Sequence, residues 1–287
     1  MTTIIHEPAF TAEDSARLSK TDLTRCRLVM NIGPDEIAYG LVDPESRTFL
    51  SVKGYFFDAG AREHSLIRTL EQCFDQNRIL FTAFRDIRIS FDTPAFTLVP
   101  EKIFDPALKR DYLWALYPEQ PRSVVFYDTL GTAGAVNVFA AGRDVAGYLK
   151  KEFPSARFSH AQSAFLEAVL PDSPRSGSQA YVRALAGSII LTVVDSGRVV
   201  LMQNYPISHG SDALYYTANA LSQLELSCDG AAVYLSGEIP TDAPLYQAMA
   251  QEIPSLGWLE RPASLNYVTA FGEYPPHYFY TLSALAL

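Results

Sequence analysis

A chain of 287 residues with 48% hydrophobic and 19% charged residues has apolar material for two ordinary domains and does not read as disordered. Its formal charge of −9 excludes nucleic acid or an anionic membrane as the main partner, since both require clustered Lys and Arg. No apolar run approaches the roughly 18 residues of a membrane span, and the N-terminus lacks a basic stretch followed by an apolar one, so a cytoplasmic, non-embedded protein is expected.

Residues 1–23 are polar and weakly periodic and read as a loosely held arm or a peripheral strand. Strands are predicted at Leu28–Ile32, Ile37–Val42 and Thr48–Phe57, separated by Gly33-Pro34-Asp35 and Asp43-Pro44-Glu45-Ser46. Leu66, Ile67, Leu70 and Phe74 share a helical face over His64–Asp75. Ile87, Ile89 and Phe91 alternate with polar residues as a half-buried strand does. A strand ends at Phe96–Pro100, and a short helix follows toward Trp114. Strands at Val124–Tyr127 and Val136–Ala140 flank a hairpin loop, Leu130–Gly134. Helices at Asp144–Phe153 and Gln162–Val169, with the short run Arg157–Ser159 between them, close the first half.

Pro171–Ser178, rich in Pro, Ser and Gly, reads as a linker. Strands then resume at Tyr181–Leu185, Ile189–Val194 and Val199–Tyr205. A helix from about Asp212 to Leu226, a strand at Ala232–Gly237 and a helix near Leu245–Gln251 follow. Pro275-Pro276 marks a site where a terminal helix begins. Each half therefore reads as three strands, a helix, a strand and a helix, a duplication at domain scale. A string match supports it: Val29-Met30-Asn31-Ile32-Gly33 returns as Val193-Val194-Asp195-Ser196-Gly197, each closing an apolar run.

Little else carries chemistry. Cys26, Cys73 and Cys228 have no metal or redox spacing and read as buried thiols in a reducing compartment. The five histidines are scattered, and no metal site is expected. No Gly-x-Ser-x-Gly elbow, Walker loop or His-Glu-x-x-His helix occurs. Asp195 reads either as a metal-directed carboxylate or as an Asp capping its own turn. Gly33, Gly197 and Gly237 either admit a phosphate or adenine closely or permit a positive φ in tight turns.

In this arrangement the chain resembles a family of uncharacterised bacterial proteins with an actin-like ATPase fold. That family is similar to the actin-like cytoplasmic components of type IV pilus assembly and type II secretion. The resemblance covers about residues 25–287. It rests on the hairpin Val29–Asp43, the strand end Leu98-Val99-Pro100, Val136–Ala141, Val193–Asn204, the helix start at Asp212–Tyr216 and Tyr234-Leu235-Ser236-Gly237-Glu238. It implies an α/β protein of duplicated actin-like ATPase (ribonuclease-H-like) domains, with mixed sheets flanked by helices and a cleft between the halves. The expected division is an arm at 1–23, a first actin-like domain at 24–172 and a second at 173–287.

The resemblance also implies three nucleotide contacts: a first hairpin at Asn31 and Gly33, a second at Asp195, Ser196 and Gly197, and an adenine-side turn at Ser236-Gly237. Asn31 stands where the superfamily carries Asp, and an amide lacks the charge that a hard cation selects. Pro34 removes a turn N–H, and Arg198 follows the second hairpin where small residues are usual. The expectation is a degenerate site without catalytic residues or cofactor, in an interaction or assembly module with a protein or peptide partner. The alternative is an ATPase or phosphotransferase that uses ATP with Mg in the same cleft.

Overall fold

Continuous apolar runs form the middle of each sheet, because a strand buried on both faces has no polar side to present. The computed structural model describes residues 7–57, 63–226 and 230–287. Strand β1 (Phe10–Glu13) and helix α1 (Ser15–Leu18) precede an antiparallel meander of β2 (Arg27–Ile32), β3 (Glu36–Asp43) and β4 (Thr48–Phe56). Helix α2 (Glu63–Gln76) leads to β5 (Asp86–Phe91), parallel to β2. A separate three-stranded sheet follows, formed by β6 (Phe96–Pro100), β7 (Ser123–Leu130) and β8 (Ala135–Gly142), with α3 (Lys109–Trp114) between β6 and β7. Helix α4 (Arg143–Glu152), strand β9 (Arg157–His160) and helix α5 (Ala161–Val169) complete this half, β9 lying parallel to β5.

The second half repeats the plan. An antiparallel meander of β10 (Ser178–Leu185), β11 (Ser188–Asp195) and β12 (Arg198–Pro206) is followed by α6 (Gly210–Gln223) and β13 (Ala231–Ser236), the latter parallel to β10. Helix α7 (Pro244–Glu252) leads to β14 (Leu256–Trp258), parallel to β13. The chain then returns to the first sheet. β15 (Asn266–Tyr267) pairs with β4, and α8 (Tyr280–Ala286) packs on α5 and β2. The large sheets run β1-β4-β3-β2-β5-β9 and β12-β11-β10-β13-β14, both mixed. Along β11, Ile190 and Val194 face the larger core, while Ile189, Leu191 and Val193 face that of the second sheet.

Two local readings change, and one open reading is decided. Of the two readings of the N-terminal segment, the peripheral strand holds: β1 pairs with β4 at the sheet edge. Helix α6 starts at Gly210 rather than Asp212, because the Asp212 carboxylate accepts the Ser208 and His209 N–H groups at 2.7 and 2.8 Å and so lies inside the first turn. The last helix starts at Tyr280 and not at Pro275-Pro276. The carbonyl of Pro276 instead accepts the Arg261 N–H at 2.8 Å, and Phe279 turns with φ 65°. Cys26 and Cys73 are buried, and burial pushes their thiols up to about 11 and about 12. Cys228 lies outside the described residues.

One glycine ties the two chain ends together. Gly54 pairs with Phe10 across β1 and β4, and the Phe10 ring lies 4.8 Å from that of Phe279. A Cβ at Gly54 would meet the Phe10 ring at 1.8 Å, so the ring covers the bare backbone. Gly54→Ala is expected to cost about 1–3 kcal/mol by overpacking. Urea unfolding measures it, and an unchanged midpoint would show that the ring is free to move aside.

Candidate functional site

Strand position identifies which hairpins are equivalent. β2 lies between an antiparallel neighbour, β3, and a parallel one, β5, and β10 lies between β11 and β13 in the same senses. The counterpart of the β2–β3 hairpin is therefore β10–β11, with its turn at Ala186-Gly187. Asn31 pairs with Ala38 and Ser90, and Arg183 with Ile190 and Ser236. Asp92 stands two residues beyond Ser90, as Glu238 stands two beyond Ser236. The duplication thus sets Asn31, Ser90 and Asp92 opposite Arg183, Ser236 and Glu238.

The predicted match of Gly33 with Gly197 is corrected by this geometry. Asp195 pairs with Ser178, the first residue of β10, at the end of the sheet away from the β10–β11 turn. Ser196 and Gly197 have φ of 49° and 74°, the doubly left-handed pair of a two-residue hairpin whose twist suits its flanking strands. Asp195 accepts the Ser178 hydroxyl at 2.7 Å, and Arg198 is exposed on the same remote turn. Of the predicted set, the structure brings Asn31, Gly33, Ser236 and Gly237 to the strand ends that face the other half. It does not bring Asp195, Ser196 or Gly197 there. Gly237 has φ 119°, and a Cβ there would lie 2.5 Å from the Ala184 carbonyl oxygen, so both the turn and the close approach require glycine.

Four residues missed from the sequence dominate the site. Arg183 Nη2 donates to Asp92 Oδ1, and each side chain is only 4% exposed. Arg183 Nη1 donates to Thr281 Oγ1 at 3.0 Å. Asn31 Oδ1 accepts the Ser90 hydroxyl at 2.7 Å, while its amide nitrogen reaches Asp92 Oδ2 at 3.5 Å. Glu36 and Glu238 line the same space, and Glu238 accepts the Phe279 N–H at 3.0 Å. The free volume between these groups is about 10 Å³, roughly the space of one water.

The charges are unbalanced, with one guanidinium among three carboxyl groups. Burial alone would raise Asp92, but the charge and hydrogen bond of Arg183 outweigh it and hold Asp92 below the usual carboxylate range. Burial, then the carboxylates of Glu238, Asp92 and Asp35, push Glu36 well above its ordinary value. Burial likewise raises Glu238. His160, at the end of β9, donates from Nε2 to the Thr93 carbonyl and accepts the Gln162 N–H at Nδ1, and burial lowers it to about 4. Among the described residues no group of three or more His, Cys, Asp or Glu side chains is arranged to hold a metal ion.

Beside this sealed cluster an open groove of about 900 Å³ begins at Gly33 and Pro34. It runs past Phe91 and Ala95 to the loop Tyr117–Ser123 and is closed by Asn204 and Pro206 of β12.

The profile of a family described as "Protein of unknown function (DUF3822)" matches residues 15–256. The chain belongs to this family. A family of unknown function assigns no activity, so the solved structures contribute the fold. A Bacteroides thetaiotaomicron protein with an actin-like ATPase fold and unknown function is similar, with 16% identity and a TM-score of 0.77 over 92% of this chain and 96% of that one. A PilM–PilN type IV pilus biogenesis complex is also similar, at 12% identity and a TM-score of 0.61 over 91% and 97% of the two chains. No curated protein matches. The fold of this family member is the duplicated actin-like one, with mixed sheets and a cleft between the halves. No helix among the described residues is long and apolar enough to cross a membrane.

Proposed function

We propose that this chain is a non-catalytic protein of the actin-like fold that acts as an interaction or assembly module in the cytoplasm. The Arg183–Asp92 pair carries the reading. At the two equivalent strand positions stand an amide, Asn31, and a cation, Arg183. A hard divalent ion selects oxygen ligands of opposite charge, and a guanidinium already holds the buried carboxylate of Asp92. The remaining 10 Å³ is far below the several hundred Å³ of a small-molecule site, so these residues do not fit a magnesium nucleotide.

The groove from Gly33 to Asn204 supports the partner side of the reading. It is large and mostly apolar, as surfaces that receive protein segments are. The PilM relative is solved together with PilN, and by analogy of fold a protein or peptide segment is the occupant proposed here. Calorimetry with ATP and Mg²⁺ on the purified chain is the test, and no binding at millimolar nucleotide is expected. Tight, saturable binding would overturn the reading and favour an ATPase or phosphotransferase.

A further inference from the structure

The end of the first sheet opposite the cleft carries a second charge imbalance, of the other sign. Arg27, Asp86 and Arg157 are the first residues of the parallel strands β2, β5 and β9, and Arg88 follows on β5. Three guanidiniums share the single Asp86 carboxylate. Arg27 Nε and Arg88 Nε donate to Oδ2 at 2.8 and 3.2 Å, and Arg157 Nη2 donates to both oxygens at 2.7 and 2.8 Å. Both oxygens of Asp86 are therefore taken.

Part of the cluster has a structural role. Arg27 and Arg88 also donate to the carbonyls of Ala286 and Leu285 at the C-terminal end of α8, where a cation is favourable. That role does not extend to Arg157 or Arg85. Arg85 is exposed, and among the described residues no carboxylate pairs with it. These two line a cavity of about 430 Å³ together with Arg27, Asp86 and Glu45. The second carboxylate of its lining, Glu45, is engaged with Arg25. In a chain of net charge −9, a pocket lined by three arginines whose two carboxylates, Asp86 and Glu45, are already bonded to arginines is an anomaly.

We propose that this cavity binds a small oxyanion of the phosphate class, held by Arg85, Arg157 and the remaining Nη2 of Arg27, with Asp86 fixing the Arg157 guanidinium through its Nη2. Guanidinium forks match the tetrahedral oxygens of phosphate through paired N–H donors. A dianion offsets the excess positive charge that one carboxylate leaves. This inference is independent of the nucleotide and partner readings, because the cavity lies at the other end of the strands.

Titration of the full chain with inorganic phosphate and pyrophosphate at low ionic strength, followed by calorimetry and ³¹P NMR, tests it. Saturable binding is expected, and R85Q/R157Q should weaken it by about tenfold or more, as the loss of two charge-assisted contacts implies. Thermal unfolding of that variant without ligand should nearly match the wild type, since both side chains are exposed and neither is hydrogen-bonded to α8 as Arg27 and Arg88 are. R27Q, by contrast, should destabilise the fold as well. Absence of binding at millimolar phosphate and pyrophosphate would overturn the proposal, as would binding that R85Q/R157Q leaves intact. Association only with vesicles containing phosphatidic acid would also overturn it, because the cavity would then be reading a membrane surface.

Discussion

Replacing Arg183 with methionine is expected to destabilise the chain by about 3–5 kcal/mol, the usual cost of stranding one partner of a buried ion pair. Methionine keeps the bulk of the side chain, so the loss reports charge more than volume. Asp92 is left 4% exposed with only the long contact to the Asn31 amide at 3.5 Å. Thr281, two residues past the αL turn at Phe279, loses its donor at the start of α8. Adding Asp92→Asn should recover more than half of the loss, because the penalty is mainly the unpaired charge and an amide removes it. Urea unfolding of the two variants, read by fluorescence and by circular dichroism, measures both effects. A cost below about 1 kcal/mol for Arg183→Met would show that the pair is solvated and does not seal the cleft.

The pattern of runs in the sequence is enough to locate most strands, because central strands buried on both faces must be continuously apolar. Leu28–Ile32 and Ile189–Val194 are examples. The duplication is legible for the same reason, as the order of strands and helices repeats. The pairing of hairpins is not legible in a short string. Asp195-Ser196-Gly197 looks like a phosphate turn, yet the same residues are what a two-residue hairpin with positive φ selects. Counting strands from the linker would have pointed to Ala186-Gly187 instead. Arg183 left a fainter signal: a charge inside the apolar run Tyr181-Val182-Arg183-Ala184-Leu185 needs a buried partner. That partner, Asp92, is 91 residues away in sequence, and only the packing of one half on the other brings them together. Glu36 and Glu238 are opaque for the same reason, since Glu36 opens β3 and Glu238 stands two residues past β13, strand-end positions where a charged residue ordinarily meets water.

Stability is expected to peak in mildly acidic solution and to fall toward alkaline pH, with Glu36 controlling much of the alkaline limb. Burial and neighbouring carboxylates raise Glu36 in the folded state, and burial raises Glu238. The folded chain therefore holds these protons more tightly than the unfolded chain does. The stability this provides is complete below the ordinary Glu range and is lost as pH climbs through the raised folded values. Asp128, pushed by burial up to about 6, contributes in the same direction between the ordinary Asp range and about 6. Asp92 and His160 act oppositely. Asp92 is held low and His160 is lowered to about 4, so their contributions are present above the ordinary ranges and are lost as pH falls toward the depressed values. Glu36→Gln fixes the side chain in a neutral form and removes its share of the alkaline loss. Between the ordinary Glu range and the raised folded value, where only unfolding releases the Glu36 proton, the gap between variant and wild type should widen by about 1.4 kcal/mol per pH unit. Urea midpoints for both proteins at about pH 5 and about pH 8 supply the comparison. Parallel behaviour of the two between those values would mean that Glu36 is ionised and solvated in the folded chain, with Arg183 carrying less of the cluster's charge than its geometry implies.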